Sequence, residues 1–365
     1  MSGAPAMIAP TFKKGDAAQR SGRWAVVWLS CGGLAAGFLI VEVILRVVFW
    51  DGVTFSQNIG PIPEKFTARY YPEHSRNRFG ARGPDAIGPK PTGRIRIMVQ
   101  GDSITFGKGV RREADLYAVR LLHALEQAAP GRFELAVVAR SGRNIDGHVE
   151  QLRTYGDAIA PDLIVYQWHP NDMELDHSQR PQVRGRVWRR LVFHAWLTKY
   201  SYAWSLMDNQ LTQLLYRWTT PYPAYLREVF ADGGTAWRQF VAYFEAWATE
   251  AFTRCPRVIV LLSPRQAAPQ QRPAAYELRD LHTRVTALAT GHGMDTIDVA
   301  QFLTDLPSWR SAWVNPFDSH PSELVHHRMA TLLFEHIQRT WPEWFAGPVP
   351  GPSLARDVEA RERPE

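Results

Sequence analysis

The run Ile95-Arg96-Ile97-Met98-Val99-Gln100-Gly101-Asp102-Ser103-Ile104-Thr105-Phe106-Gly107 opens with mostly apolar residues that predict a buried strand. It closes in a turn hemmed by glycines. Downstream, the apolar spacing of Leu116 to Ala129 predicts an amphipathic helix. Open α/β sheets keep their reactive groups at the carboxyl ends of their strands, and Ser103 stands at such an end. Gly-Asp-Ser is also ordinary turn chemistry, so the rest of the chain has to discriminate.

Outward from this run, a βα alternation follows. Arg94–Gln100, Phe133–Ala139, Asp162–Trp168, Val258–Ser263 and Asp295–Val299 are short, mostly apolar and read as strands. Helical patterns fall between them at Leu116–Ala129, His148–Ile159 and Tyr276–Ala289, and another follows Pro321. Strands alternating with helices predict one parallel sheet of about five strands, covered on both faces. The domain so defined spans 92–345. Residues 173–256 interrupt the rhythm with a stretch dense in tryptophan, tyrosine and arginine, partly helical in pattern. It suits a helical insertion packed on the core, a cap over the sheet, or a helix on a membrane surface. Before the first strand, 51–91 is polar and rich in proline and glycine and reads as a linker or irregular cap. The tail, 346–365, reads as disordered.

The amino terminus carries its own signal. Trp24 to Val41 is uncharged and overwhelmingly apolar, and Glu42 and Arg46 are embedded in its continuation to Trp50. Its length is close to the minimum for a bilayer span, so 24–50 reads as a single uncleaved anchor. A cleaved signal peptide would have a shorter apolar core, and the lipoprotein-like Leu29-Ser30-Cys31 is followed by further apolar chain. A buried core helix is the structural alternative. Lys13, Lys14, Arg20 and Arg23 precede the run against the single acid Asp16, which places the basic tail 1–23 in the cytoplasm and the remainder outside it.

Composition narrows the function classes. The net charge of +6 is mild, and the arginines between Arg180 and Arg227 come without any zinc-finger, helix-turn-helix or aromatic RNA-binding signature, so no nucleic-acid partner is expected. Two cysteines, Cys31 and Cys255, build neither a disulfide framework nor a zinc site. A phosphate loop is also excluded. Five residues rather than four separate Gly101 from Gly107, and Gly109 rather than a hydroxyl residue follows Lys108.

Two further blocks could carry chemistry. The third strand ends in His169-Pro170-Asn171-Asp172, where an asparagine amide can donate to a developing oxyanion, although Asn-Asp is common in turns. Asp318-Ser319-His320-Pro321 precedes the final helix, and a histidine oriented by a carboxylate can act as general base toward a serine. His326 and His327 are nearby rivals within the helix pattern. No His-Glu-x-x-His arrangement occurs, and neither a metal nor another cofactor is expected.

In this order and placement the blocks resemble those of the SGNH, or GDSL-type, hydrolase family over residues 90 to 340, in a membrane-anchored form. The resemblance implies a flavodoxin-like three-layer α/β/α sandwich, preceded here by the transmembrane helix. It implies Ser103 as nucleophile, His320 as base, Asp318 as its orienting acid, and an oxyanion hole made by the Ser103 N–H, the Asn171 side chain and an N–H from the second block. Ser141-Gly142-Arg143-Asn144 is similar to that block, with Gly142 as donor. The family's asparagine falls where Ala139 and Arg140 stand. His169 replaces a common glycine and, with Asp102, would contribute to the pocket. Asp318 and His320 are one residue apart where the family usually has two, a spacing similar to that of some membrane-anchored members.

The implied activity is hydrolysis of a small ester or acylated glycan by an acyl-enzyme on Ser103, in a single-pass protein of the inner membrane with its catalytic domain periplasmic or extracellular. An O-acyltransferase acting on a polysaccharide, with an acyl donor partner in the membrane, would use the same residues. An inactive glycan-binding protein of the same fold is the third expectation.

Overall fold

A computed structural model describes residues 15–48, 76–175, 193–218, 222–266, 272–315 and 318–346. The basic residues Lys13 and Lys14, the first part of the expected linker, Arg180 to Arg190 and the tail from 347 lie outside the described residues.

Five strands form one parallel sheet in the order β2-β1-β3-β4-β5, with β1 Ile95–Gly101, β2 Phe133–Ala139, β3 Leu163–Trp168, β4 Val258–Leu262 and β5 Asp295–Asp298. This is the flavodoxin-like order, and its reversal lies between β1 and β3. The strands could be read as continuous apolar runs because a parallel sheet is covered on both faces. Every residue of β3 and β4 is buried. Right-handed crossovers then dictate the layers. Helix α2, Tyr117–Ala128, packs with the last helix, α9 Glu323–Thr340, on one face, and α3, Ile145–Ile159, lies with α7, Thr235–Arg254, on the other. Helix α8, Arg279–Gly291, follows β4 and packs on β4 and β5. The architecture is the three-layer α/β/α sandwich.

Between β3 and β4 the chain forms α4 His194–Tyr200, α5 Tyr202–Trp218, α6 Tyr222–Val229 and α7. The segment divides its contacts. Helix α7 buries Phe240, Phe244 and Trp247 in the main core, at roughly 1.5–3 kcal/mol for each such side chain. Helix α5 instead packs on α1, Gly15–Val48, the helix that precedes the sheet domain. Within α1, Val26–Val48 is long and apolar enough to cross a membrane, and most of its described side chains are exposed.

The stretch before β1 is more than a linker where it is described. Phe79 and Ala81 join the core, and Asp85 bridges to Ala136 of β2. Arg82 is buried and donates from Nη1 to the carbonyls of Gly107 and Val110, both at 2.9 Å, and from Nη2 to Arg111 at 3.1 Å. It thereby clamps the loop that leaves the Ser103 turn. The Gly107 carbonyl also accepts from the Val110 N–H at 3.1 Å, so the guanidinium reinforces that turn as well as pairing the carbonyls beyond it.

Candidate active site

The Ser103 turn is fixed from below. β1 ends at Gly101, and Ser103–Phe106 forms a single helical turn with Asp102 as its cap. The buried Asp102 carboxylate accepts from the Ile104 N–H through Oδ1 at 2.9 Å, satisfying one of the turn's unpaired donors. Gln167, at the end of β3, holds the same turn: its Oε1 accepts from Thr105 Oγ1 at 2.9 Å and from the Asp102 N–H at 3.3 Å. Gly101 is required by this closeness, because a Cβ there would lie 2.1 Å from Thr105 Oγ1 and 2.6 Å from Gln167 Oε1.

His320 reaches the serine from the opposite end of the chain. It lies on β7, Asp318–Pro321, which pairs antiparallel with β6, Trp313–Asn315. His320 Nε2 is 2.9 Å from Ser103 Oγ, and Nδ1 is 2.5 Å from Asp318 Oδ1. A carboxylate can only accept, so Nδ1 carries the proton and Nε2 is left to accept the serine hydroxyl. Asp318 Oδ1 also accepts from the His320 backbone N–H at 3.0 Å, which makes the one-residue spacing self-consistent: one carboxylate oxygen holds the backbone nitrogen and the ring Nδ1 of the same residue. Burial works against the charge on Asp318, but His320 and, more weakly, Lys108 outweigh it and hold the carboxyl down at about 2.

The rival histidines lie elsewhere. His326 is buried, stacks on Tyr117 and accepts from the Tyr117 N–H at 3.1 Å; His327 is exposed.

On the other side of the serine, Asn171 follows β3. Its Nδ2 donates to Asp102 Oδ2 at 3.0 Å, and the same oxygen is 3.5 Å from Ser103 Oγ. One amide hydrogen is thus spent on Asp102 and the second remains. Ser103 is the first residue of its turn, where an N–H has no intrahelical acceptor, and neither it nor the Gly142 N–H donates to another group among the described residues. Gly142 lies in the turn after β2 at φ +77°, a conformation that a side chain rarely adopts. Nearby, Asn144 Nδ2 donates to the Glu174 carbonyl at 2.7 Å, tying the turn after β2 to the segment after Asn171.

Asp172 and His169 complete the block after β3. Asp172 is buried, and its Oδ2 accepts from the Tyr166 hydroxyl and from the His169 N–H, both at 2.9 Å, while Oδ1 lies 3.5 Å from His148 Nε2. Burial raises the Asp172 carboxyl and His148 opposes the rise. The His169 ring donates from Nδ1 to the Ser263 carbonyl at 3.1 Å. Burial, aided by Arg265 and His320, pushes its pKa down to about 4 against the pull of Asp102, so at neutral pH the ring is uncharged and Nε2 is an acceptor. Nε2 has no hydrogen-bond partner among the described residues.

Arg82 and Gln167 are the supporting residues that sequence reasoning missed. Gln167 had one signal: a polar residue at the carboxyl end of an otherwise apolar strand. Arg82 had none, because its three acceptors come from a loop some 25 or more residues away. Among the described residues no group of three His, Cys, Asp or Glu side chains could hold a metal ion. Cys31 is exposed and Cys255 buried, both unpaired.

No protein-family model matches the chain, and no curated protein matches it. Among solved structures it is similar to an extracellular lipase from Streptomyces rimosus (15% identity, TM-score 0.41, covering 66% of this chain and 98% of that one). It is also similar to a family 3 carbohydrate esterase from Clostridium thermocellum (11%, TM-score 0.40, covering 69% and 100%). A third is a catalytic mutant of Axe2, an acetylxylan esterase from Geobacillus stearothermophilus (17%, TM-score 0.38, covering 71% and 100%). Likenesses this distant do not bear on what the chain does, and the chemistry rests on the site's own geometry.

Proposed function

We propose that the protein is a serine-dependent ester hydrolase of the SGNH type that works through an acyl-enzyme on Ser103. The observation that carries this reading is the hydrogen-bonded series Ser103–His320–Asp318, at 2.9 and 2.5 Å, with unspent donors beside the serine. Ser103 Oγ attacks the ester carbonyl while its proton passes to His320 Nε2. Asp318 holds the ring in the tautomer that can take that proton and stabilises the imidazolium. The carbonyl oxygen becomes an oxyanion, received by the Ser103 N–H, the Gly142 N–H and Asn171 Nδ2. The C–O bond to the alcohol breaks as His320 returns the proton to the leaving oxygen. Water, deprotonated by the same nitrogen, then attacks the acyl-enzyme and releases the acid and Ser103.

Resemblance and topology favour a short acyl group, such as acetyl, on a carbohydrate or envelope glycan as substrate. Helix α1 would anchor the protein by a single pass in the inner membrane, with its amino terminus cytoplasmic and the sheet domain periplasmic or extracellular. Full-length protein in detergent is expected to release p-nitrophenol from p-nitrophenyl acetate, and Ser103→Ala is expected to abolish release. Equal turnover by the variant would overturn the nucleophile.

A second reading keeps the acyl-enzyme and replaces water by a sugar hydroxyl, making the protein an O-acyltransferase fed by a donor at the membrane. His169 favours it, since an uncharged ring with its Nδ1–H fixed offers Nε2 to an acceptor hydroxyl. Mass spectrometry of a glycan incubated with acyl donor and protein separates the two, by acyl gain on the glycan or by free acid alone.

A further inference from the structure

Glu42 is a carboxylate inside the apolar helix α1, and it is matched by donors from a segment about 160 residues later. Its Oε2 accepts from Ser201 Oγ and from the Ala203 N–H, both at 2.8 Å. Its Oε1 accepts from the Tyr202 N–H at 3.2 Å and from Arg46 Nε at 2.7 Å. Arg46 in turn donates from Nη2 to the Tyr200 carbonyl at 2.6 Å and lies 5.8 Å from the centroid of the Tyr202 ring. One acid and one base on α1 therefore close both sides of the elbow at Ser201: Glu42 takes the unpaired N–H groups opening α5, and Arg46 takes a carbonyl at the end of α4. Tyr202, Ala203 and Trp204 are buried at this joint, as is Leu45, in a helix whose described side chains are mostly exposed.

The position of the clamp along α1 fixes its depth. Val26 and Glu42 are separated by roughly 24 Å at 1.5 Å per residue, against a hydrocarbon core about 30 Å thick. Glu42 would thus stand near the far edge of a bilayer entered at Val26. An unpaired carboxylate at the centre of a bilayer is expensive, and here it is satisfied by its own chain at the edge. The elbow held there presents two large apolar side chains outward, Phe193 (68% exposed) and Trp196 (60% exposed), with Trp196 against Tyr200 at 5.4 Å between ring centroids. Aromatic side chains of this kind are enriched where lipid meets water.

We infer that the α4–α5 elbow is a membrane-interface element, clamped by Glu42 and Arg46 to the outer end of α1 and seated through Phe193 and Trp196 in the headgroup layer of the same bilayer. This rests on the anchored reading of α1. The occupant of the exposed aromatic face is a lipid surface, because α4 joins α5 at the elbow and α5 packs on α1, the helix long and apolar enough to cross the bilayer. The segment that carries the elbow leaves the sheet after Trp168 and passes through Asn171, so the elbow and the candidate site belong to one stretch of chain.

The test uses the full chain in phosphatidylcholine vesicles, carrying Cys31→Ser and Cys255→Ala. A single cysteine is placed by Phe193→Cys, by Trp196→Cys or, on α9 outside the elbow, by Gln338→Cys, and labelled with the environment-sensitive fluorophore NBD. Labels at 193 and 196 are expected to emit at shorter wavelength than the label at 338 and to be quenched by headgroup-proximal nitroxide lipids. Adding Glu42→Gln is expected to reduce that quenching while alkaline carbonate still leaves the protein in the vesicle pellet. Quenching at 193 and 196 no greater than at 338, with the protein retained in the pellet, would overturn the elbow assignment alone. Release by carbonate would overturn the anchored reading and the elbow with it. Cross-linking between two copies through a cysteine at 196, in place of lipid quenching, would assign the face to a second copy and overturn the proposal.

Discussion

Asn171 and Asp102 meet across the point where the sheet order reverses: Nδ2 of the first donates to Oδ2 of the second at 3.0 Å. One hydrogen of the amide is fixed on a buried carboxylate, which aims the other. Asp102 also caps the serine turn through Oδ1, so a single side chain sets both the nucleophile's backbone and the oxyanion donor. Asn171→Ala is expected to lower kcat by about 10²–10³-fold, the usual cost of losing one oxyanion donor, with little change in KM. Asp102→Ala should lower kcat and also cost about 1 kcal/mol of stability as the turn loses its cap. Steady-state kinetics paired with thermal unfolding checks this. A normal kcat in Asn171→Ala would remove that residue from the oxyanion hole.

Asp318→Asn should leave the fold intact and lower kcat by about 10⁴-fold, because an amide can offer Nδ1 a donor where the ring needs an acceptor and so favour the wrong tautomer. Since Asp318 is held at about 2, it stays ionised through any practical assay range, and its own titration does not produce the acid limb of the wild-type rate profile. A rate profile recorded from pH 4 to 9 checks the second point. An acid limb that vanishes in Asp318→Asn with kcat otherwise preserved would contradict both.

Stability should fall on acidification. His169 and His326 are pushed down to about 4 and about 3, in both cases chiefly by burial. Unfolded, each binds its proton near pH 6.5, while folded it stays neutral until far lower pH. The unfolded state therefore holds more protons between pH 6.5 and about 4, so stability rises with pH across that window. His326→Gln keeps an acceptor for the Tyr117 N–H and removes one titrating group. The slope of unfolding free energy against pH should shrink by up to about one proton. An unchanged slope would show that His326 does not contribute.

Two glycine substitutions should go opposite ways. Gly101→Ala drives a Cβ against Thr105 Oγ1 and Gln167 Oε1 and should cost about 1–3 kcal/mol, with activity falling as the serine turn shifts. Gly291→Ala, on the last residue of α8 with nothing within 4 Å of the added carbon, should be neutral or stabilise by up to about 1 kcal/mol. Denaturant unfolding of the two variants makes the comparison.

The sheet was legible because burial on both faces leaves an unbroken apolar signature, as Leu163-Ile164-Val165 and Val258-Ile259-Val260 show. Ser103, Asn171, Asp318 and His320 could be nominated for a related reason: each directly follows a readable element or precedes one. The hairpin that presents His320 was not legible, since β6 is three residues long and too short to display an alternation. Long-range polar pairings left no trace either. Nothing around Glu42 announces Ser201, and nothing around Arg82 announces the Gly107 carbonyl, because such pairs are chosen by the folded backbone and not by local spacing.

The central claim is that Ser103 is a nucleophile activated by His320, and covalent labelling tests it most directly. Full-length protein treated with a fluorophosphonate and digested for mass spectrometry should carry the adduct on the peptide containing Ser103. His320→Ala should label far more slowly, and Ser103→Ala should not label there at all. Wild-type protein that stays unlabelled at Ser103, especially with measurable glycan binding, would contradict the account and leave a binding protein built on the same fold.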